Sequence, residues 1–180
     1  MSKRAAPQDI DIIVTGGYFE RRSGDDGVGS YFDLDATHTK GLLNQALGPT
    51  AAFNTVFLKD SSTFTHDDRQ VICDAVKRSP LPRVVIIHGT TTLDLTARYL
   101  FQMGLNKAIV LTGTTSSFAR RPGEAFFNLG AAIGLVQALP FGVYGVMNGR
   151  IIPPMSLRKD PETGRFDVAS GEHLLNTHSG

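Results

Sequence analysis

Four short apolar runs, each ending in a cluster of glycine, serine and threonine, constrain the fold of this chain more than any other feature. The first, at 10–14, runs into Thr15, Gly16 and Gly17, and the second, at 55–58, is followed by Asp60, Ser61, Ser62 and Thr63. The third, at 84–87, leads to His88, Gly89, Thr90, Thr91 and Thr92, and the fourth, at 108–111, to Thr112, Gly113, Thr114 and Thr115. Short β-branched runs separated by helical segments predict parallel strands. Ligands of an open parallel sheet bind outside the carboxyl ends of its strands. Hydroxyls and glycines therefore gather where a site is expected.

Along the chain, strands are predicted at 9–14, 54–59, 83–88, 107–112 and 142–147. Helices are predicted at 39–46, from Thr65 to the prolines at 80 and 82, at 93–103 and at 125–139. The helix from Thr65 carries Asp67 and Asp68 in its first turn and Lys77 and Arg78 in its last, an order that suits the helix dipole. The helix at 125–139 is apolar over much of its surface and is expected to be well buried. The order βαβαβαβαβ predicts a single three-layer, doubly wound α/β domain over 1–180, with a mainly parallel sheet of Rossmann-like or flavodoxin-like form. Residues 16–33 read as a long loop, 114–124 as a second polar loop, and the tail at 148–180 as loop-like, with Pro153, Pro154 and Pro161.

The length of 180 residues favours one domain with a real core, and 41% hydrophobic with 19% charged residues is ordinary for a globular protein. A net charge of +1 without single-sign blocks argues against nucleic acid as a partner. Arg21 and Arg22, like Arg120 and Arg121, read as solvated surface pairs. Nothing approaches the ~20 apolar residues of a membrane helix, and no signal peptide follows Lys3 and Arg4, so no membrane partner is expected. The lone Cys73 excludes an intrachain disulfide and fits a reducing, cytoplasmic compartment. In its predicted helix it packs as a small apolar residue, unless Arg69 and Lys77 turn inward and lower its pKa. The five histidines are scattered without metal-ligand spacing, and no metal is expected. His88 reads as a satisfied core histidine.

The segment Gly89-Thr90-Thr91-Thr92 leaves a buried strand and enters a helix, whose unpaired N–H groups hold carboxylates and oxyanions. A threonine there can attack or hydrogen-bond; equally, Thr91 with Asp94 three residues on has capping-box spacing. Thr15-Gly16-Gly17 lacks both G-x-G-x-x-G and G-x-x-x-x-G-K-[ST], so it reads as a tight turn more than a nucleotide loop. Asp60, Ser61 and Ser62 precede the predicted helix and are expected to line the crevice rather than cap. Lys159 acquires a role only if the tail folds back to the strand ends, where an ammonium stabilises negative charge on a hydroxyl. The missing G-x-S-x-G elbow argues against an ordinary serine hydrolase.

Taken in order, several stretches resemble the L-asparaginase family. They are Ile12-Ile13-Val14-Thr15-Gly16-Gly17, Asp60-Ser61-Ser62, Ile87-His88-Gly89-Thr90-Thr91-Thr92 and Val110-Leu111-Thr112-Gly113. Ala125-Phe126-Phe127-Asn128-Leu129, Gly142-Val143-Tyr144, Met147-Asn148-Gly149-Arg150, Arg158-Lys159 and Thr163-Gly164-Arg165-Phe166 continue the series, so the resemblance spans 9–166. It covers the larger N-terminal α/β domain alone, as in a short-chain form. What it implies is hydrolysis of the side-chain amide of asparagine, or a related small amide, through a threonine acyl-enzyme without metal or organic cofactor. The implied partners are a small amino-acid-like substrate and further copies of the chain in a homo-oligomer.

By the same resemblance, Ser61 and Ser62 match the segment holding the substrate's α-carboxylate and amine. Gly17, Asp60, Gly89, Thr91 and Thr114 join them as substrate-binding candidates. Thr90 matches the second catalytic threonine, Lys159 the lysine of its proton-transfer group, and Tyr31 the tyrosine of the first loop. Two positions depart from the pattern. The family's T-G-G-T, whose second threonine is the nucleophile, has Tyr18 at that place, and its H-G-T-D-T has Thr91 in place of the amine-binding aspartate. A phenol is bulkier than an aliphatic hydroxyl and has a pKa of about 10. Thr15 is the alternative hydroxyl, and Asp60 or Asp94 is left to compensate for the lost carboxylate. Thr90 and Lys159 favour an amidohydrolase with an altered site; Tyr18 and Thr91 favour a catalytically impaired relative that binds a small ligand or serves a structural or regulatory role.

Overall fold

The computed structural model describes residues 9–23, 30–32, 38–46, 48–117 and 120–168. In chain order its elements begin with β1 (Ile10–Gly16), β2 (Arg21–Ser23), β3 (Ser30–Phe32), α1 (His38–Gln45) and β4 (Ala51–Lys59). A 3₁₀ turn (Ser61–Thr63), α2 (His66–Arg78), β5 (Arg83–Ile87), α3 (Leu93–Gln102) and β6 (Ala108–Thr112) follow. The chain continues through α4 (Pro122–Ala138), β7 (Gly142–Met147), β8 (Arg150–Ile152), β9 (Leu157–Lys159) and β10 (Phe166–Val168).

The main sheet has the order β4-β1-β5-β6-β7-β8. Its first five strands are parallel and β8 returns antiparallel to β7. All of β1 and β6 is buried. Such strands are covered on both faces, which is why their sequences are continuous apolar runs rather than alternating ones. On one face Ile13, Val84, Ile86, Ile109 and Leu111 pack with α2 and α3. On the other, Ile12, Val14, Val85, Ile87 and Val110 pack with α1 and α4. These are the three layers expected from the sequence. The chain turns from β4 on one side of β1 to β5 on the other, so the topological switch point lies between β1 and β5. That is where doubly wound sheets bind ligands.

Local chemistry accounts for the element ends. Thr65 caps α2 in a capping box: its hydroxyl accepts from Asp68 N–H at 3.2 Å, and Asp68 Oδ2 accepts from Thr65 N–H at 2.9 Å. The Asp68 carboxyl lies below its ordinary value, chiefly because Lys59 donates to it. Helix α4 starts earlier than expected, because Pro122 occupies its first turn. Its inner side is buried through Ala125, Leu129, Ala132 and Val136, but Phe126 and Phe127 remain exposed, so the expected burial holds for one side only.

The tail differs most from the sequence expectation of loop. Asn148 and Gly149, with φ of 53° and 76°, make the tight turn that folds β8 back on β7. Asn-Gly between apolar runs is a strong hairpin signal, because both central residues need positive φ. β9 and β10 then pair antiparallel, and Ile152, Leu157 and Phe166 are buried against the core on the α2 and α3 side. Residues 169–180 lie outside the described part, as do 24–29 and 33 of the expected first loop and 34–37 after it. Within that loop β2 and β3 pair as an antiparallel hairpin.

Candidate active site

Four strand ends converge at the switch point. Gly16 and Gly17 leave β1 with φ of 107° and 81°. A Cβ on Gly17 would fall 2.6 Å from Gly89 Cα, and one on Gly89 would fall 2.5 Å from Ser61 Oγ. A Cβ on Gly113 would fall 2.2 Å from the His88 carbonyl oxygen and 3.4 Å from Thr90 Cγ2. Glycine is required at these positions so that the exits of β1, β5 and β6 can approach one another. Gly17 N–H donates to Lys59 O at 3.2 Å, and Thr92 Oγ1 donates to Ser61 O at 2.7 Å, tying in the exit of β4.

The tail does fold back to this place. Asn128, fully buried on α4, donates through Nδ2 to Gly113 O at 2.8 Å and accepts from Asn148 N–H at 3.0 Å. Asn148 Oδ1 accepts from Phe166 N–H at 3.0 Å, and Phe166 pairs in register with Lys159. Through this chain of bonds Lys159 is brought to Thr90, and its Nζ donates to Thr90 Oγ1 at 3.1 Å. Thr90 is buried.

Beneath it, His88 is fixed by both ring nitrogens. Nδ1 lies 2.7 Å from Gly89 O, an atom that only accepts, so Nδ1 carries the hydrogen. Nε2 then accepts from Thr96 Oγ1 at 2.8 Å, and the ring packs edge-on against Phe64 at 4.8 Å. Burial holds its pKa down to about 4. His88 is thus a neutral, satisfied core histidine, as its sequence position suggested.

A charged ladder forms the rim. The Arg21 guanidinium lies 5.5 Å above the Tyr18 ring centroid and donates to Asp60 Oδ2 at 3.0 Å. Asp60 Oδ1 accepts from Ser62 N–H at 3.0 Å and from Ser62 Oγ at 2.8 Å. The Ser62 backbone N–H and hydroxyl, followed by Arg21, hold the Asp60 carboxyl below its ordinary value. Asp60 therefore caps the 3₁₀ turn, contrary to the expectation that it only lines the crevice. Arg21, read from sequence as solvated surface, bridges the first loop and the exit of β4 instead.

Among the other predicted site residues, Thr15 is fully buried and its hydroxyl donates to Ile87 O at 2.9 Å, pointing into the sheet rather than to Lys159. Thr91 is exposed; Thr92, not Thr91, is the N-cap of α3 and makes no side-chain cap bond. The Thr91 and Asp94 capping box does not form, and Asp94 pairs with Arg98. Ser61 Oγ is buried without a hydrogen-bond partner among the described residues. Thr114 is buried and donates to Ser116 O at 2.8 Å. Tyr31 lies on β3 opposite Arg22, and its side chain lies outside the described part. The structure thus assembles Gly17, Ser61, Gly89, Thr90 and Lys159, with Tyr18, Asp60 and Ser62 on the rim beside them. Arg21, Asn128 and Asn148 carry positioning roles that the sequence pattern does not assign. A cavity of about 460 Å³ opens beside the start of α4, walled by Phe127, Arg150 and Arg165 and by the Asn128, Asn148 and Phe166 that lead to Lys159.

Solved structures share this architecture. The L-asparaginase of Thermococcus kodakarensis superposes with a TM-score of 0.73 at 21% identity, covering 88% of this chain and 50% of that one. L-asparaginase I of Vibrio cholerae gives 0.72 at 25% identity, covering 91% and 52%. A probable cytoplasmic L-asparaginase of Campylobacter jejuni gives 0.72 at 21%, covering 92% and 54%. The chain spans about half the length of these relatives. A glutamyl-tRNA(Gln) amidotransferase component of Aeropyrum pernix is 40% identical over 70 residues, 37% of this chain and 16% of that protein. Residues 9–173 match the family described as asparaginase, N-terminal, and the chain belongs to that family.

Proposed function

We propose that this chain hydrolyses the side-chain amide of asparagine or a related small amide, with Thr90 as nucleophile and Lys159 as its proton partner. One observation carries the reading: the 3.1 Å contact between Lys159 Nζ and Thr90 Oγ1 at the switch point of the sheet. The Thr90 oxygen attacks the amide carbon, and Lys159 Nζ takes up the hydroxyl proton as it gives one of its own to the amide nitrogen. The C–N bond then breaks and ammonia leaves. Water then adds to the ester, the carboxylate departs and Thr90 regains its hydrogen. The balance is amide plus water giving carboxylate plus ammonia. The first turn of α3, which has no side-chain cap, supplies N–H groups suited to a carboxylate or oxyanion, with Ser61 and Ser62 across from it. The likeness to proteins named as L-asparaginases supports the same reaction class.

A second reading has its own observation. A half-exposed phenol at Tyr18 and an exposed Thr91 stand where the resemblance puts the nucleophile and the amine-binding carboxylate. In that reading the crevice holds a small amino-acid-like ligand without turning it over. Ammonia release from the purified protein decides between them. Thr90→Val and Lys159→Met are expected to remove turnover by about 10²–10⁴-fold without unfolding the protein, while Thr15→Val retains it. Turnover surviving Thr90→Val removes Thr90 as nucleophile. No turnover, with a ligand that raises the melting temperature, favours the second reading. The working unit in the first reading is a homo-oligomer, supported by the exposed Phe127 and Phe141. A monomer with full turnover in light scattering removes that part.

A further inference from the structure

We infer that Arg21 is a specificity-determining residue, turning the site toward small amides whose carbon beside the carboxylate bears no ammonium group. This rests on the amidohydrolase reading above and narrows its substrate class. Charge at the rim carries it. Tyr18 follows Gly17, Asp60 precedes Ser61, and both Gly17 and Ser61 press on Gly89, the neighbour of Thr90. Arg21 spans these two loops, 3.0 Å from Asp60 Oδ2 and 5.5 Å above the Tyr18 ring. A guanidinium held by a carboxylate and an aromatic face is fixed in place as well as charged.

Among the described residues Asp60 is the carboxylate at this rim, and it is already matched. One oxygen takes Arg21 and the other takes the N–H and hydroxyl of Ser62. Among the described residues nearby, Lys59 pairs with Asp68 and Asp94 with Arg98. Lys159 adds a positive charge beside Thr90, where its described contact is a hydroxyl rather than a carboxylate. A ligand carboxylate enters a site biased toward anions. A ligand ammonium loses water at a rim where Asp60 is already taken by Arg21.

Succinamate and L-asparagine test this directly, because they differ only by hydrogen against ammonium at one carbon. Ammonia release is expected to favour succinamate by about tenfold or more in kcat/KM, mostly through KM. By calorimetry succinate is expected to bind about tenfold more tightly than L-aspartate. Arg21→Gln is expected to erase or reverse both ratios, and Arg21→Lys, which keeps the charge, to retain most of them. Equal or tighter binding of L-aspartate by the wild type overturns the inference even if asparagine is hydrolysed. So does a ratio unchanged in Arg21→Gln. If that variant does not fold, the wild-type ratio decides alone. No ammonia from either amide overturns the hydrolytic reading, and the binding ratio still judges Arg21.

Discussion

Acidification from pH 7 to pH 4 is expected to cost this protein about 3 kcal/mol through His88 alone. The ring is 1% exposed, with both nitrogens committed to Gly89 O and Thr96 Oγ1. Burial moves its pKa from 6.5 to about 4. The unfolded chain therefore takes up a proton, as pH falls from 6.5 towards 4, that the folded chain refuses. The stabilisation is complete above pH 6.5, declines through that window and is gone below about pH 4. A shift of this size, at about 1.4 kcal/mol per pKa unit, gives the figure above. Urea unfolding of the wild type and of His88→Gln at pH 7, 6, 5 and 4.5 isolates the contribution. The difference between the two proteins is expected to shrink by about 1.4 kcal/mol per pH unit below pH 6. Asp60 and Asp68, whose folded values lie below 3.8, lose their contributions only beneath that range and act in both proteins. A difference that stays constant from pH 7 to pH 4.5 refutes a buried neutral imidazole at position 88.

Three further outcomes follow from the geometry. Gly17→Ala places a Cβ 2.6 Å from Gly89 Cα at a φ of 81° and is expected to destabilise by about 3 kcal/mol in urea; a loss under about 1 kcal/mol contradicts the backbone contact. Asn128→Ala removes partners from Gly113 O and Asn148 N–H, and is expected to cost about 2–4 kcal/mol and to lower turnover by loosening Lys159; unchanged turnover at full folding separates Lys159 from that chain of bonds. Cys73 is fully buried, and burial pushes its thiol pKa up, so a disulfide reagent is expected to leave it unmodified until the protein unfolds; rapid labelling of the native protein contradicts the packing.

The parallel strands are legible because burial on both faces writes itself as unbroken apolar runs such as Val84 to Ile87. Of β4, 54–59 is legible and 51–53 is not, because these are half-buried residues at the start of an edge strand. The tail strands escape the pattern although Asn148 and Gly149 announce a hairpin; the prolines after β8 mask the strands on either side of them. At the site, Thr90 and Lys159 both stand out in the sequence, but their meeting depends on Asn128 and Asn148, whose bonds leave no periodic trace. Arg21 looks like surface because its partner lies 39 residues away along the chain. The direction of the Thr15 hydroxyl, into the sheet towards Ile87, is likewise a matter of packing that residue type does not disclose.

Gly17 and Gly113 set the exits of β1 and β6 directly against main-chain atoms of the β5 exit, so that spacing owes little to the side chains around it. Tyr18 and Thr91, exposed beside these exits, can be exchanged without disturbing the chassis. Such a layout separates the freedom to acquire a new ligand from the need to remain folded. It makes these two positions the natural places to randomise when retuning the chain by laboratory evolution.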